Sequence, residues 1–190
     1  MTAAPVLRGE RVVLRPWADA DLAPFAALDA DPEVMLRMSK PLARDESDAY
    51  AARIRAHLDE HGFGLWALAV PVLGFAGFVG LSAKVAFALP LPGIVDAPHE
   101  IGWRLARAAW GHGYATEAAT LALRYGFEVA RLAQIVSFAA ADNRASIAVM
   151  RRIGLTLRGE FDHPRRPPEH RSYRHVLYAQ DAALGGEWRR

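Results

Sequence analysis

The stretch from residue 100 to residue 117 constrains the fold of this chain most, and it reads EIGWRLARAAWGHGYATE. In its first part apolar residues from Ile101 to Leu105 alternate with Gly102 and Arg104, which is the period of a β-strand. Beyond the glycines the apolar residues recur at helical spacing. They are Ala118, Leu121, Ala122, Tyr125 and Val129. The stretch therefore predicts a strand that runs through a glycine-containing turn into a helix.

The turn itself reads WGHGYA, from Trp110 to Ala115. Gly111 and Gly113 remove side chains where the backbone bends tightly, so several consecutive amide N–H groups can point outward at the start of the helix. Such a helix start attracts anions, above all phosphates. The turn therefore predicts a phosphate-binding site.

Composition limits the classes of protein to which the chain can belong. With 190 residues, 52% of them hydrophobic and 23% charged, residues 1–190 are expected to form one globular domain. A formal net charge of +2 and a pI near 9.2 suit a polyanionic small ligand and do not indicate nucleic acid. The absence of cysteine excludes disulfides, a thiolate zinc site and an acyl-cysteine intermediate. The N-terminus has no apolar run typical of a signal peptide, so we expect a cytoplasmic protein.

Residues 62–83 carry no charge and raise the possibility of a membrane span. Pro71 and five glycines interrupt this stretch, and its apolar residues fall into two short blocks, LWALAV and GFVGLSA. Two such blocks with a turn between Pro71 and Gly74 are typical of a buried β-hairpin. We therefore expect no membrane association.

The remaining segments complete a mixed α/β layer protein. A first strand lies in ERVVLRPW, a first helix is capped by Asp19 or Asp21, and a second helix runs from Asp45 or Ser47 to Gly62. After the helix that follows the turn come a strand over 134–140, a helix from Asp142-Asn143 to Gly154, and two last strands around Phe161 and 175–178.

Residues 84–99 are apolar but contain prolines at 90, 92 and 98, so they cannot hold a regular strand ladder. Two interpretations of this loop remain open. It either closes over a substrate as a lid or packs on the core.

The WGHGYA turn is similar to the pyrophosphate-binding loop of the GNAT superfamily of N-acetyltransferases, written Q/R-x-x-G-x-G/A. Gly113 and Ala115 occupy its two small positions, and Trp110 stands where the pattern has Gln or Arg. EIGWRL before the loop, ATEA after it and the later NRASIAVMRRIGL resemble the branch that holds the ribosomal-protein N-terminal acetyltransferases. The opening LRGERVVLRPW and the pair FDHP and HVLY extend the resemblance over nearly the whole chain.

This resemblance implies a GNAT-like α/β fold, a mixed central sheet with splayed middle strands flanked by helices, into whose gap acetyl-CoA enters. It also implies the residues that contact this co-substrate. These are Trp103, Arg104, Leu105, Trp110, Gly111, His112, Gly113, Tyr114, Ala115, Thr116, Asn143 and Ser146. Asn143 and Ser146 correspond to family residues near the pantetheine arm and sulfur. The other interpretation is that Asn143 only caps its helix and Ser146 only lies in the first turn.

Glu100 resembles the glutamate that relatives use, often through a water molecule, as general base. Burial beside Trp103 and Trp110 is expected to raise its pKa, and its alternative role is that of an ordinary strand-end carboxylate. Many relatives protonate the departing thiolate with a tyrosine whose place is taken here by Met150, which makes Ser146 the replacement acid. Backbone N–H groups between Trp103 and Leu105 are expected to stabilise the oxyanion.

The resulting hypothesis is an N-acetyltransferase that passes an acetyl group directly from acetyl-CoA to a small-molecule or peptide amine, as a monomer or homodimer. The alternative is a non-catalytic module that binds acyl-CoA. A dinucleotide-binding fingerprint fails because Thr116 occupies its third small position. His163, His170 and His175 lack the spacing of a zinc motif, so we expect no metal. The arginines at 165, 166, 171 and 174 are expected in a solvated loop.

Overall fold

The computed structural model describes residues 4–38, 40–85, 87–89 and 91–182, and Pro90 of the proline-containing loop lies outside these ranges. The strands are β1 (Leu7–Arg8), β2 (Val13–Arg15), β3 (Leu65–Val70), β4 (Gly74–Lys84), β5 (His99–Leu105), β6 (Gln134–Ala140), β7 (Thr156–Asp162) and β8 (Arg174–Asp181). The helices are α1 (Leu22–Ala30), α2 (Arg44–His61), α3 (Tyr114–Glu128) and α4 (Arg144–Arg152). Two short 3-10 turns, Asp19–Asp21 and Arg107–Ala109, complete the described chain.

The eight strands of the described ranges belong to one sheet with the order β1-β2-β3-β4-β5-β6-β8-β7. Neighbouring strands are antiparallel except β5 and β6, which run parallel. In this part of the chain only two residue pairs join β5 to β6, His99 with Ile135 and Glu100 with Val136. Beyond Glu100 the strands part, so the expected fold class, a mixed sheet with splayed middle strands, is confirmed.

Helices cover the two faces of the sheet. Phe25 of α1 and Tyr50 of α2 pack their rings against Phe78 of β4 on one face. On the other face α3 lies so close to the sheet that a Cβ added at Gly126 would come within 2.6 Å of Ile135 Cδ1. The main hydrophobic core extends through both layers.

The charge-free stretch 62–83 begins at Gly62, the C-cap of α2, and forms the hairpin of β3 and β4, as its two apolar blocks predict. The strands pair from Leu65 with Gly80 to Val70 with Gly74. Among the helices of the described ranges, none is both long and apolar enough to cross a membrane.

Asp21 occupies the N-cap position of the first helix, as predicted, although its carboxylate accepts the amide of Ala18 and no amide of that helix. Two other details of the sequence interpretation were wrong. The second helix begins at Arg44 and not at Asp45 or Ser47, and the Glu46 carboxylate in its first turn accepts a hydrogen bond from the amide of Ala43. Val129 lies just past the end of α3 and is 61% exposed. The two-residue strand β1 was not predicted.

The loop before β5 packs on the sheet, one of the two interpretations left open above. Its apolar side chains join a second hydrophobic cluster with residues of β6, β7 and β8. The loop residues in this cluster are Val85, Phe87, Leu89, Leu91 and Ile94. Gln134 fixes the loop by accepting the amide of Val95 and donating to the carbonyl of Gly93. This packing accounts for the apolar composition of the loop.

Candidate active site

The gap between β5 and β6 leaves one edge of β5 open. The amide of Ala106 donates to the carbonyl of Ala76 in β4. Because the direction of backbone groups alternates along a strand, the amide of Arg104 also faces β4. The amides of Trp103 and Leu105 therefore face the gap. The carbonyl of Leu105 is taken by Trp110 Nε1, at 2.8 Å. Two strand amides are thus placed to bind a ligand that lies along β5.

The turn before α3 offers a denser set of donors. In the described chain, none of the amides from Gly111 to Thr116 donates to a protein acceptor, and Glu117 is the first to do so, to Gly113. Gly113 is the N-cap residue and has φ +81°, in the left-handed region that favours glycine. Six free amides at the start of a 15-residue helix form a strong anion site.

Arg11, in the turn between β1 and β2, lies against this loop. Its Nη1 donates to the carbonyl of His112 at 3.0 Å, and its guanidinium carbon lies 5.5 Å from the ring centroid of Tyr114. Glu117 of α3 receives both the backbone amide and Nε of Arg11, at 2.7 and 2.9 Å. Arg11 was not among the predicted site residues, because it lies 101 positions before His112 in the chain.

Asn143 and Ser146 lie at the start of α4 and line the same cavity as β5. Asn143 caps the helix, because its Oδ1 accepts the amide of Ser146 at 3.2 Å. Capping is compatible with a second contact through the Asn143 side-chain amide. Met150, at the position where many relatives have tyrosine, is buried and also reaches the cavity wall.

Glu100 lies in this cavity, which has a volume of about 300 Å³ and extends from the gap between β5 and β6 across the face covered by α1 and α2. No hydrogen-bond donor to its carboxylate occurs among the described residues. Removal from water raises its pKa to about 8, since burial disfavours the charged form. A carboxyl group with this pKa gains and loses its proton close to neutral pH.

The expected rise in the pKa of Glu100 thus occurs, but the neighbours named for it were wrong. Glu100 and Trp103 are three positions apart on one strand and their side chains leave opposite faces. Trp110 contacts Leu105 at the far end of β5 and is 46% exposed. Tyr50 lies close enough for the charge of Glu100 to raise the pKa of its phenol, although burial is the larger cause.

Arg104 lines the cavity on the face of the sheet covered by α1 and α2. Its Nη1 donates to Asp29 Oδ1 at 2.5 Å, and its guanidinium stacks over Tyr50 and Phe78. Since its side chain is held by Asp29 and its amide faces β4, Arg104 serves the site as a structural support of β5. This geometry therefore does not support the expectation that Arg104 contacts acetyl-CoA.

The segment after β7 contributes to the distal wall of the cavity. Arg166 lies in this wall, which corrects the expectation of a solvated position there, whereas Arg165, Arg171 and Arg174 are exposed as expected. His163, Arg166 and His175 line the cavity. Burial, then His175 and the nearby arginines, lower the pKa of His163 to about 4, so its ring is neutral at pH 7. Its Nδ1 accepts the amide of Arg165 at 3.2 Å, which leaves the proton of the neutral ring on Nε2. Within the described ranges, no group of three or more metal-binding side chains is close enough to hold an ion.

Arg37 joins this wall to the start of α4. Its carbonyl accepts Ser172 Oγ at 3.3 Å and Arg166 Nη2 at 3.5 Å, while its Nε donates to Asp142 Oδ1 at 3.1 Å. Asp142 immediately precedes the Asn143 cap and also pairs with Arg171. The connection between α1 and α2 is thus tied to both the segment after β7 and the start of α4.

This chain matches a family model and several known proteins. The model of the acetyltransferase (GNAT) domain matches residues 11–156. FsC-acetyl coenzyme A-N(2)-transacetylase of Aspergillus fumigatus is 33% identical over 161 residues, which cover 81% of this chain and 66% of that protein, just under two thirds of its length. A solved acetyltransferase of Agrobacterium tumefaciens is 28% identical with a TM-score of 0.70, over 93% of this chain and 94% of the other.

The ribosomal-protein-S5-alanine acetyltransferase of Vibrio fischeri shares the fold, with a TM-score of 0.73 at 16% identity over 96% of this chain and all of the other. At this identity the likeness shows the fold alone. The family model covers well over half of the chain and includes the strand, the loop and both helices of the cavity. The chain therefore belongs to the GNAT acetyltransferase family.

Proposed function

We propose that this protein is an acetyl-CoA-dependent N-acetyltransferase that transfers the acetyl group directly to a primary amine while both substrates are bound. The observation that carries the proposal is the position of Glu100, a carboxyl group with a pKa of about 8 inside the cavity at the point where β5 and β6 part. Membership of the family and the six free amides before α3 support acetyl-CoA as the donor.

In this proposal the loop amides bind the pyrophosphate, and the amides of Trp103 and Leu105 on the open edge of β5 bind the pantetheine and the thioester oxygen. Glu100 takes a proton from the amine, directly or through a water molecule, because an ammonium ion is not a nucleophile. The amine nitrogen bonds to the carbonyl carbon and loses its excess proton to a water molecule as the carbon–sulfur bond breaks. Ser146 gives its hydroxyl proton to the departing thiolate and regains a proton from that water.

The acceptor enters on the face covered by α1 and α2, since Glu100 points to that face and Tyr50, Met38 and His163 line the cavity there. Both a small amine and a peptide N-terminus are compatible with this opening. The name of the fungal relative, an N(2)-transacetylase, supports nitrogen as the acceptor atom.

The test is a panel of primary amines offered with acetyl-CoA, including amino acids, amino sugars, polyamines and short peptides, with products identified by mass. Turnover of at least one amine with a gain of one acetyl group is the expected result. Tight binding of acetyl-CoA without turnover of any acceptor would overturn the proposal in favour of a non-catalytic acyl-CoA-binding module.

A further inference from the structure

The loop that binds the pyrophosphate in the proposed function departs from the family pattern at its first position. Trp110 stands where that pattern has Gln or Arg, and its indole N–H is occupied by the carbonyl of Leu105. A bound pyrophosphate would therefore receive no hydrogen bond and no positive charge from this side chain. The six loop amides carry only partial charges, whereas the pyrophosphate group carries full negative charges.

Arg11 lies where a cation could replace that missing group. Its Nη2 is 3.4 Å from the position that a Cβ on Gly113 would occupy, so the guanidinium borders the open side of the loop. The bonds of Nη1 to the carbonyl of His112 and of Nε to Glu117 hold this orientation. The Arg11 side chain is 52% exposed, which leaves it accessible to a ligand on the loop.

We propose that Arg11 is a binding residue for the pyrophosphate of acetyl-CoA, supplied from the turn between β1 and β2 in place of the side chain that the loop lacks. The proposal rests on the proposed donor, acetyl-CoA. An arginine suits this role because its planar, permanently charged fork donates several hydrogen bonds to phosphate oxygens. Glu117 then acts as a positioning residue, which orients the fork and leaves Nη2 facing the ligand.

The test measures CoA affinity by calorimetry for the wild type and for Arg11→Met, Glu117→Gln and Arg8→Met. Arg11→Met should weaken CoA binding about tenfold and reduce its dependence on salt, since a charge-assisted contact is lost. Arg8→Met is the matched control, because it removes an equal charge from the neighbouring strand β1. It should leave affinity unchanged. Glu117→Gln keeps the positive charge of Arg11, so this variant should retain most of the affinity for CoA.

Two further ligands assign the contact within CoA. Dephospho-CoA retains the pyrophosphate but lacks the 3′-phosphate, so Arg11→Met should lose the same factor on it as on CoA. S-acetylpantetheine lacks both groups, so its KM should not change in Arg11→Met. Equal losses of CoA affinity in Arg11→Met and Glu117→Gln would show that Arg11 only supports the loop. A loss of affinity in Arg11→Met that is seen with CoA but not with dephospho-CoA would place Arg11 on the 3′-phosphate. Either result overturns the proposal. Failure of the wild type to bind CoA would instead refute the proposed donor.

Discussion

Arg104 Nη1 lies 2.5 Å from Asp29 Oδ1, and this ion pair joins β5 to α1 beneath the floor of the cavity. Asp29 is 0% exposed, and its second oxygen accepts Ser47 Oγ of α2 at 2.8 Å. A buried carboxylate is tolerated only when its charge is paired and its oxygens are hydrogen-bonded. Asp29 therefore fastens both helices to the strand that carries Glu100.

Replacing Asp29 with Ala should lower the free energy of unfolding by about 3 kcal/mol, because it removes the ion-pair partner of Arg104, whose side chain is only 14% exposed. Urea denaturation measures the change. Asp31→Ala is the matched control, since Asp31 pairs with Arg107 at 3.4 Å on a half-exposed surface and should cost less than about 1 kcal/mol. Equal losses in the two variants would contradict the role assigned to the buried pair.

Periodicity predicted most of the fold because most of its elements are long enough to show a period. The strand over 134–140 and the helix that ends before Gly154 were both placed from local pattern alone. Strand β1 has two residues, too few for any alternation, and it exists only because it pairs with β2. The start of the second helix was misplaced because Glu46, an acidic residue inside its first turn, reaches back and replaces an N-cap side chain.

The site was predictable only where its residues are contiguous in sequence. The loop of residues 110–115 and the start of α4 carry local motifs, whereas Arg11 and the distal wall reach the site through long-range packing. His163 gave no signal, since a histidine in a polar, proline-rich segment is typical of a surface loop. Its low pKa arises from burial and from His175, a neighbour that only the pairing of β7 and β8 provides.

Replacing Gly113 with Val should weaken acetyl-CoA binding more than tenfold. Gly113 has φ +81°, which a β-branched residue adopts only with strain of roughly 1–3 kcal/mol, and the added side chain would stand between Arg11 and the ligand. Gly74→Val is the matched control, because Gly74 has φ +69° at the hairpin tip with open space around it. Calorimetry should find wild-type affinity in this control, and unchanged affinity in a folded Gly113→Val would move the cofactor site elsewhere.

Replacing Ser146 with Ala should slow turnover about tenfold or more while the KM for acetyl-CoA stays near its wild-type value. The reason is that the substitution keeps the backbone amide that Asn143 Oδ1 accepts, so the helix cap survives and only the hydroxyl is lost. Steady-state kinetics separates kcat from KM. Asn143→Ala provides the comparison, since it should cost about 1 kcal/mol of stability through loss of the cap. A higher KM with unchanged kcat in Ser146→Ala would make Ser146 a binding residue.

The pKa of Glu100 can be tested through stability as well as activity. The folded protein binds the Glu100 proton up to about pH 8, whereas the unfolded chain releases it near pH 4.5, so stability falls as pH rises between these values. Glu100→Gln removes this loss of stability at high pH, because glutamine carries no titratable proton. The variant should match the wild type below about pH 4.5 and exceed it by about 2 kcal/mol at pH 8 to 9, after allowance for water in the open cavity. Equal stability at every pH would show that the carboxyl group titrates normally.

Glu100→Gln should also lower turnover at neutral pH by about 10²-fold, because the amide keeps the shape of the side chain but cannot accept the amine proton. In the wild type kcat/KM should rise with pH up to about pH 8, as the carboxyl group ionises, and then level off. That rise should vanish in the variant, while calorimetry finds unchanged affinity for acetyl-CoA. Glu60→Gln, on the exposed end of α2, is the control and should retain the wild-type profile. If Glu100→Gln keeps both the turnover and the pH profile on a verified acceptor, the carboxyl group serves only the structure of the strand.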